Sequence, residues 1–394
     1  MNFNRNEFVT ALALALDFLE ASLRKNITNH NKRVALIAIG LGEQVGLPQE
    51  ELFDLYAYSM LHDNGISHLV YSKMASGQLT NMETSQIHCL QGEANMKPFP
   101  FLRPRTGIIQ YHHENYDGSG YFGLQGGDIP LLSQIIHVAD RVEILYSTGQ
   151  DRFDVARQVA DWKGTWFSPE LYEVFAELSA PMSFWLSLDN LFIETELSHR
   201  MPMYAMDLTL QELLPIAGII SKIIDEKSPF TGMHSQGIAE KSNIMADFYQ
   251  FDEDRKIKLV LAAHLHDVGK LVIPNAILDK PGRLTPAEFE VIKTHAFYTR
   301  QILKRITGLE DVAEWASNHH EKLDGTGYPY GVSKNRLSFE SQLMACIDIY
   351  QALTEERPYH APLDRGTVTK IMFEMADNNS INRDIVADIL ETQR

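Results

Sequence analysis

Four residues, His30, His62, Asp63 and Gly65, recur as His234, His266, Asp267 and Gly269, each 204 positions further along a chain of 394 residues. His88, His112, His113, Asp117, Gly118, Gly120 and Tyr121 recur as His295, His319, His320, Asp324, Gly325, Gly327 and Tyr328, now 207 positions on, and Asp140 recurs as Asp348 after 208. An offset that drifts by only four positions over more than a hundred residues describes two copies of one domain with small loop insertions. A solenoid would repeat at a far shorter period. The length accommodates this, since it leaves each copy enough chain to bury its own core.

Apolar residues in both copies recur at three and four positions, which predicts an all-α fold. Each copy opens with an amphipathic stretch, Phe8 to Leu23 and Leu208 to Ile224, and each sets its first histidine at the start of another helix. The stretch Arg255 to Leu265 ends at the His266-Asp267 pair, with Gly269 as a stop signal. Glycine, proline and tyrosine concentrate in Asp117 to Pro130 and Asp324 to Gly331, which are expected to be loops. Met182 to Leu197 has no counterpart in the other copy and is expected to be a connecting helix. The expected organisation is therefore 1–180, a linker helix within 181–206, and 207–394.

The recurring residues are nitrogen and oxygen donors of the kind that converge on metal ions. Imidazole and carboxylate without thiolate suit iron, manganese, nickel, cobalt or zinc. The second copy offers His234, His266, Asp267, His295, His319, His320 and Asp348, more donors than one ion needs. Neighbours on a helix point about 100° apart, so His266 with Asp267, and His319 with His320, would serve two adjacent ions, and a carboxylate can bridge such a pair. The formal charge of −17 repels nucleic-acid polymers and acidic membranes, so a phosphate ligand requires a local positive centre. Only Cys89 and Cys346 are present, which points to a reducing compartment. Asp17 and Glu20 interrupt the apolar run Ala11 to Leu19, the chain opens without a basic leader, and a cytoplasmic location is expected.

The series His234, His266-Asp267-Val268-Gly269-Lys270, His295, His319-His320-Glu321, Asp324-Gly325-Thr326-Gly327-Tyr328-Pro329 and Asp348 resembles the HD-GYP family, a branch of the HD phosphohydrolase superfamily. The resemblance covers the second half almost completely and the first half more loosely. It implies two tandem HD-type helical domains and a metal-dependent phosphodiesterase that opens a cyclic dinucleotide, 3',3'-cyclic GMP-AMP or cyclic di-GMP, to its linear form. It further implies two divalent ions, and the imidazole and carboxylate donors favour iron or manganese, with nickel, cobalt or zinc also suited. His234, His266, Asp267 and Asp348 would hold one ion, and Asp267, His295, His319 and His320 the other, with Asp267 as the bridge. Family members with a third ion carry a glutamate four residues before the first histidine, where this chain has Phe230. Lys270 would reach the bridging solvent or the scissile phosphate. Asp324, Gly325, Gly327, Tyr328 and Pro329 would form a loop beside the substrate, with Arg357 as a further phosphate contact.

The departures from the family pattern bear on substrate choice: Gln342 stands where arginine is usual, Gln351 where aspartate is, and His360 where arginine is. The first half keeps His30, His62, Asp63, His88, His112, His113 and Asp140 as a candidate second metal site. Ile66 replaces the lysine there, Phe122 replaces the proline, and no Arg-Pro-Tyr follows Asp140. That half is expected to be catalytically weak or silent. A non-catalytic cyclic-dinucleotide sensor and a nucleotide phosphohydrolase of the wider superfamily are the alternative functions. The expected partners are the cyclic dinucleotide itself, no nucleic-acid polymer and no membrane, with homodimer formation left open.

Overall fold

A computed structural model describes residues 3–24, 29–66, 73, 76–100, 102–103, 105–202, 208–227, 234–280, 282–356 and 362–393. Among these the only β features are two isolated bridges, Phe3 with Leu208 and Lys163 with Phe167, so the fold is all-α as expected. The chain divides into two compact units, residues 12–206 and residues 207–394 joined by 1–11. No helix among the described residues is long and apolar enough to cross a membrane.

Helix α1 (Arg5–Arg24) opens the chain. The 12–206 unit continues with α2 (His30–Val45), α3 (Gln49–Met60), α4 (Asn81–Met96), α5 (Leu131–Ser147), α6 (Arg152–Asp161), α7 (Pro169–Ser179), α8 (Met182–Ser187) and α9 (Ile193–Arg200). Its axis is α2, buried without interruption from His30 to Gly42 and packed by α3, α5, α7 and α9. The single connecting helix expected over Met182 to Leu197 is two helices, because Asp189 turns the chain between them by accepting the Leu191 N–H at 2.8 Å.

The second unit repeats the order with α10 (Leu210–Lys227), α11 (His234–Phe248), α12 (Glu253–Leu265), the short α13 (Asn275–Leu278), α14 (Pro286–Leu303), α15 (Glu310–Ser317), α16 (Phe339–Thr354), α17 (Arg365–Asp377) and α18 (Arg383–Thr392). Starts coincide where the sequence carries caps. Thr80 with Glu83 and Thr285 with Glu288 form reciprocal capping boxes that begin α4 and α14, the helices that carry His88 and His295. Asp252 caps α12, which ends at the His266-Asp267 pair, and Ser338 caps α16, which carries Asp348.

Candidate metal centre

In the second unit the ligands come from separate elements. His234 is the first residue of α11, His266 and Asp267 follow the end of α12, His295 lies in α14, His319 and His320 follow α15, and Asp348 lies in α16. His234 Nε2 is 3.1 Å from Asp348 Oδ1, and His266 Nε2 is 3.1 Å from Asp267 Oδ2. The other oxygen of Asp267 faces His295 Nε2 at 3.4 Å and His319 Nε2 at 3.9 Å. Asp267 therefore presents one oxygen to each of two donor groups. His320 approaches Asp348 Oδ2 at 3.9 Å and is the most exposed of the seven.

The outward ring nitrogens are already committed. His266 Nδ1 donates to Ala263 O at 2.8 Å, His295 Nδ1 to Ile292 O at 2.7 Å and His319 Nδ1 to Ala316 O at 2.5 Å. These bonds fix the tautomer and aim Nε2 inward, as a ligand histidine requires. His234 Nδ1 is held by the Glu355 carboxylate at 2.9 Å, and Gln351 Nε2 donates to that carboxylate at 3.0 Å. The spacing of the histidines gave no sign of Glu355. Gly269 has a steric reason: a Cβ there would lie 2.0 Å from His295 O, and its N–H donates to Thr299 Oγ1 at 3.0 Å.

The charge balance of the cluster fits divalent ions. Asp267 Oδ1 is buried without a hydrogen-bond partner. Burial opposes ionisation of Asp267 and Asp348, yet the neighbouring histidines, and Lys270 for Asp267, hold both well below the usual carboxylate range. Burial likewise pushes His295 down to about 3 and His320 down to about 4, leaving neutral imidazoles able to donate lone pairs. His234 goes the other way: despite its burial, Asp348 and Glu355 push it up to about 9. Two carboxylates on one imidazole make this a place where a divalent cation would balance charge. Lys270 Nζ reaches Asp267 Oδ2 at 2.5 Å; burial works against its charge, but Asp267 keeps it protonated.

The signature loop is anchored by Glu321, to which the sequence assigned no separate role. Its carboxylate accepts the Tyr330 N–H at 2.7 Å and the Val332 N–H at 3.1 Å. Gly327 is required because a Cβ would come within 2.4 Å of Lys322 N. Tyr328 sets its ring 4.7 Å from that of His320, beside the metal ligands, whereas the exposed Asp324 braces the loop by accepting from Thr326 N and Oγ1. Gln342 accepts from Asn382 at 2.9 Å and donates to Leu337 O at 3.0 Å, a packing role. Arg357, Phe230 and His360 lie outside the described residues.

The first unit reproduces the arrangement. His30, His62 and Asp140 converge, with His30 Nε2 at 3.3 Å from His62 Nε2 and 3.6 Å from Asp140 Oδ1. Asp63 faces His62 through Oδ2 and His88 through Oδ1, both at 3.6 Å. Glu143 takes the place of Glu355, holding His30 Nδ1 at 2.5 Å while it pairs with Arg33. Glu114 anchors the loop through Phe122 N and Leu124 N as Glu321 does in the other unit. Ile66 is buried where Lys270 has its counterpart.

The HD domain model matches residues 18–154 and 218–385, one stretch in each half and together most of the chain. The chain belongs to the HD domain family. Among its relatives, 3'3'-cGAMP-specific phosphodiesterase 1 of Vibrio cholerae is 30% identical over 386 residues, covering 94% of this chain and 88% of that protein. A cyclic di-GMP phosphodiesterase of Thermotoga maritima is 36% identical over 155 residues, 39% of this chain and 41% of that one. The crystal structure of a cyclic GMP-AMP-specific phosphodiesterase of V. cholerae superposes with a TM-score of 0.70 at 26% identity, covering 98% of this HD domain chain and 97% of the other.

Proposed function

We propose that this chain hydrolyses a cyclic dinucleotide to the linear dinucleotide in its second half. The observation that carries the proposal is the seven-donor cluster bridged by Asp267 with Lys270 fixed upon it. His234, His266, Asp267 and Asp348 would hold one ion, and Asp267, His295, His319 and His320 a second. Bound there, divalent ions supply Lewis acidity and a water acidic enough to act as nucleophile near neutral pH. Lys270 adds a fixed positive charge beside Asp267, where an entering phosphate needs it in a chain of net charge −17. The carbonyl-bound Nδ1 atoms keep the imidazoles from rotating, so the donors need no rearrangement when the phosphate arrives. Tyr328 walls the His320 side, and Gly325, Gly327 and Pro329 shape the loop around it; Asp324 contributes by holding that loop.

The substrate is assigned as 3',3'-cyclic GMP-AMP. Two relatives named for that substrate align with 94% and 92% of this chain, whereas the cyclic di-GMP enzymes of T. maritima and Pseudomonas aeruginosa align with 39% and 33% of it. A third relative named for that substrate aligns with 36% of this chain, so the assignment rests on the two that align along nearly all of it. The metal is assigned as iron or manganese on the donor set, with nickel, cobalt and zinc as weaker matches. Residues 1–180 are assigned a supporting role, 181–206 that of a connection, and 207–394 the chemistry. His30, His62, Asp63, His88, His112, His113 and Asp140 are assigned as a second metal site without turnover, because Ile66 cannot donate to a phosphate.

The test is the full-length protein, metal-loaded, against a panel of cyclic dinucleotides, with products identified by mass. Asp267→Ala is expected to lose metal and at least about a thousandfold in turnover. Wild-type hydrolysis with normal metal content in that variant would refute the assignment. Elemental analysis of gently purified protein is expected to give iron or manganese, and a single zinc per chain would indicate a closed structural site instead.

A further inference from the structure

The two halves differ most informatively one residue beyond the last ligand. Asp348 is followed by Ile349, and its counterpart Asp140 by Arg141. Arg141 stands over the first-half cluster with Nη2 3.4 Å from His113 Nδ1 and Nε 3.7 Å from Asp140 Oδ2, the latter beyond hydrogen-bond reach. Its guanidinium lies 5.6 Å from the centroid of Trp166, which is itself stacked on Trp162 at 4.4 Å. The side chain is a quarter exposed, so it is reachable from solvent, yet its Nε is buried without a hydrogen-bond acceptor. Two acceptors in the same cluster, Asp140 Oδ2 and His112 Nε2, are buried without a donor.

Asp140 gives Arg141 a counter-charge at 3.7 Å, yet neither Arg141 Nε nor Asp140 Oδ2 has a hydrogen-bond partner. A metal-bound phosphate group satisfies both, and the planar guanidinium fork matches two phosphate oxygens. On the opposite side, Ile66 provides no cation beside Asp63. We infer that the first half is a receptor for a phosphate oxyanion, carried by a cyclic dinucleotide, which it binds through its metal ligands and Arg141 and does not cleave. This rests on the proposed first-half metal site.

The test uses the full-length His266→Ala, Asp267→Ala protein, which removes the second-half centre, dialysed with Mn²⁺ and analysed for bound metal. Phosphorus NMR then follows paramagnetic broadening of two separate probes, inorganic phosphate and 3',3'-cyclic GMP-AMP. The cyclic GMP-AMP resonances are expected to broaden while the compound stays intact. Adding Arg141→Ile is expected to weaken that binding about 10- to 100-fold at unchanged manganese content, the range for one charge-assisted contact. Arg141→Lys, which keeps the charge without the fork, should weaken it less, and circular dichroism establishes that both variants fold. Absence of manganese from the parent would overturn the metal site and the receptor with it. Bound manganese with no broadening, or with broadening indifferent to Arg141, would overturn the receptor alone. Broadening of inorganic phosphate only would overturn the dinucleotide as its ligand, and cleavage of the probe would overturn its silence.

Discussion

Glu355 shows how much of a candidate metal centre lies behind its donors. It holds the outer nitrogen of His234 at 2.9 Å, and that contact keeps the inner nitrogen on Asp348. Glu355→Gln is expected to lower metal affinity about 10- to 100-fold, while turnover at saturating metal falls much less. Metal titration followed by assay separates the two effects; an equal loss in both would show that Glu355 acts on the reaction instead. This residue also marks where the sequence stopped being informative. The converging donors were legible because each recurs at a matching place in both halves. The supporting carboxylate does not recur: Glu143 sits three residues after Asp140, Glu355 seven after Asp348, and the residue matching Glu143 is Gln351. Two solutions to one contact, in different registers, leave no common spacing to find. The same pair differs at the facing position, where Arg33 pairs with Glu143 but Gly237 leaves room for Gln351, whose side chain would meet a Cβ there at 2.4 Å.

Between elements, contact distance decides what a position tolerates. Gly269 lets the turn after α12 lie against α14, and its alanine Cβ would stand 2.0 Å from His295 O. The neighbour is backbone, so neither side can yield without moving the ligand. Gly269→Ala is expected to cost about 3 kcal/mol of stability and to disturb His295 as well; a thermal midpoint and metal content within error of wild type would contradict this. Glycine here was legible as a helix stop, but its closeness to a partner helix was not, since nothing local records what packs above it. A second device links α10 to the same turn: Lys227, almost wholly buried, donates from Nζ to Leu271 O. Burial pushes its pKa down to about 7, although Asp279 works in the opposite direction. Between that value and the ordinary lysine range the unfolded chain binds the extra proton, so this group makes stability rise with pH. Lys227→Met should therefore stabilise most at and below pH 7, with the gain fading as pH approaches 10. Thermal melts of both proteins at pH 7 and pH 10 measure the difference, and a gain independent of pH would assign it to packing alone.

For the molecule as a whole, one fold carries two candidate centres that keep the same donors and differ in the charges around them. The second has Lys270 on the bridging aspartate and Ile349 beside the last ligand; the first has Ile66 and Arg141. A lysine in the first position would meet a phosphate at the carboxylate that faces both donor groups. Loss of one such contact typically costs about 2 to 4 kcal/mol of transition-state stabilisation, a slowing of about thirty- to a thousandfold. The first centre's contribution to turnover is thus expected to be minor even when it is fully loaded. His62→Ala with Asp63→Ala should lower the metal content of the full-length protein and leave most hydrolysis of 3',3'-cyclic GMP-AMP in place. His266→Ala with Asp267→Ala should lower the metal content comparably and abolish hydrolysis. Truncation would answer less, because removing residues 1–180 strips 1–11 from the unit that contains 207–394, where Phe3 bridges Leu208 and Glu7 accepts the Thr307 N–H at 2.8 Å. Should the first pair of substitutions remove most turnover in a protein that remains folded, the first centre is catalytic or directly coupled to the second, and the division of labour drawn from Ile66 is wrong.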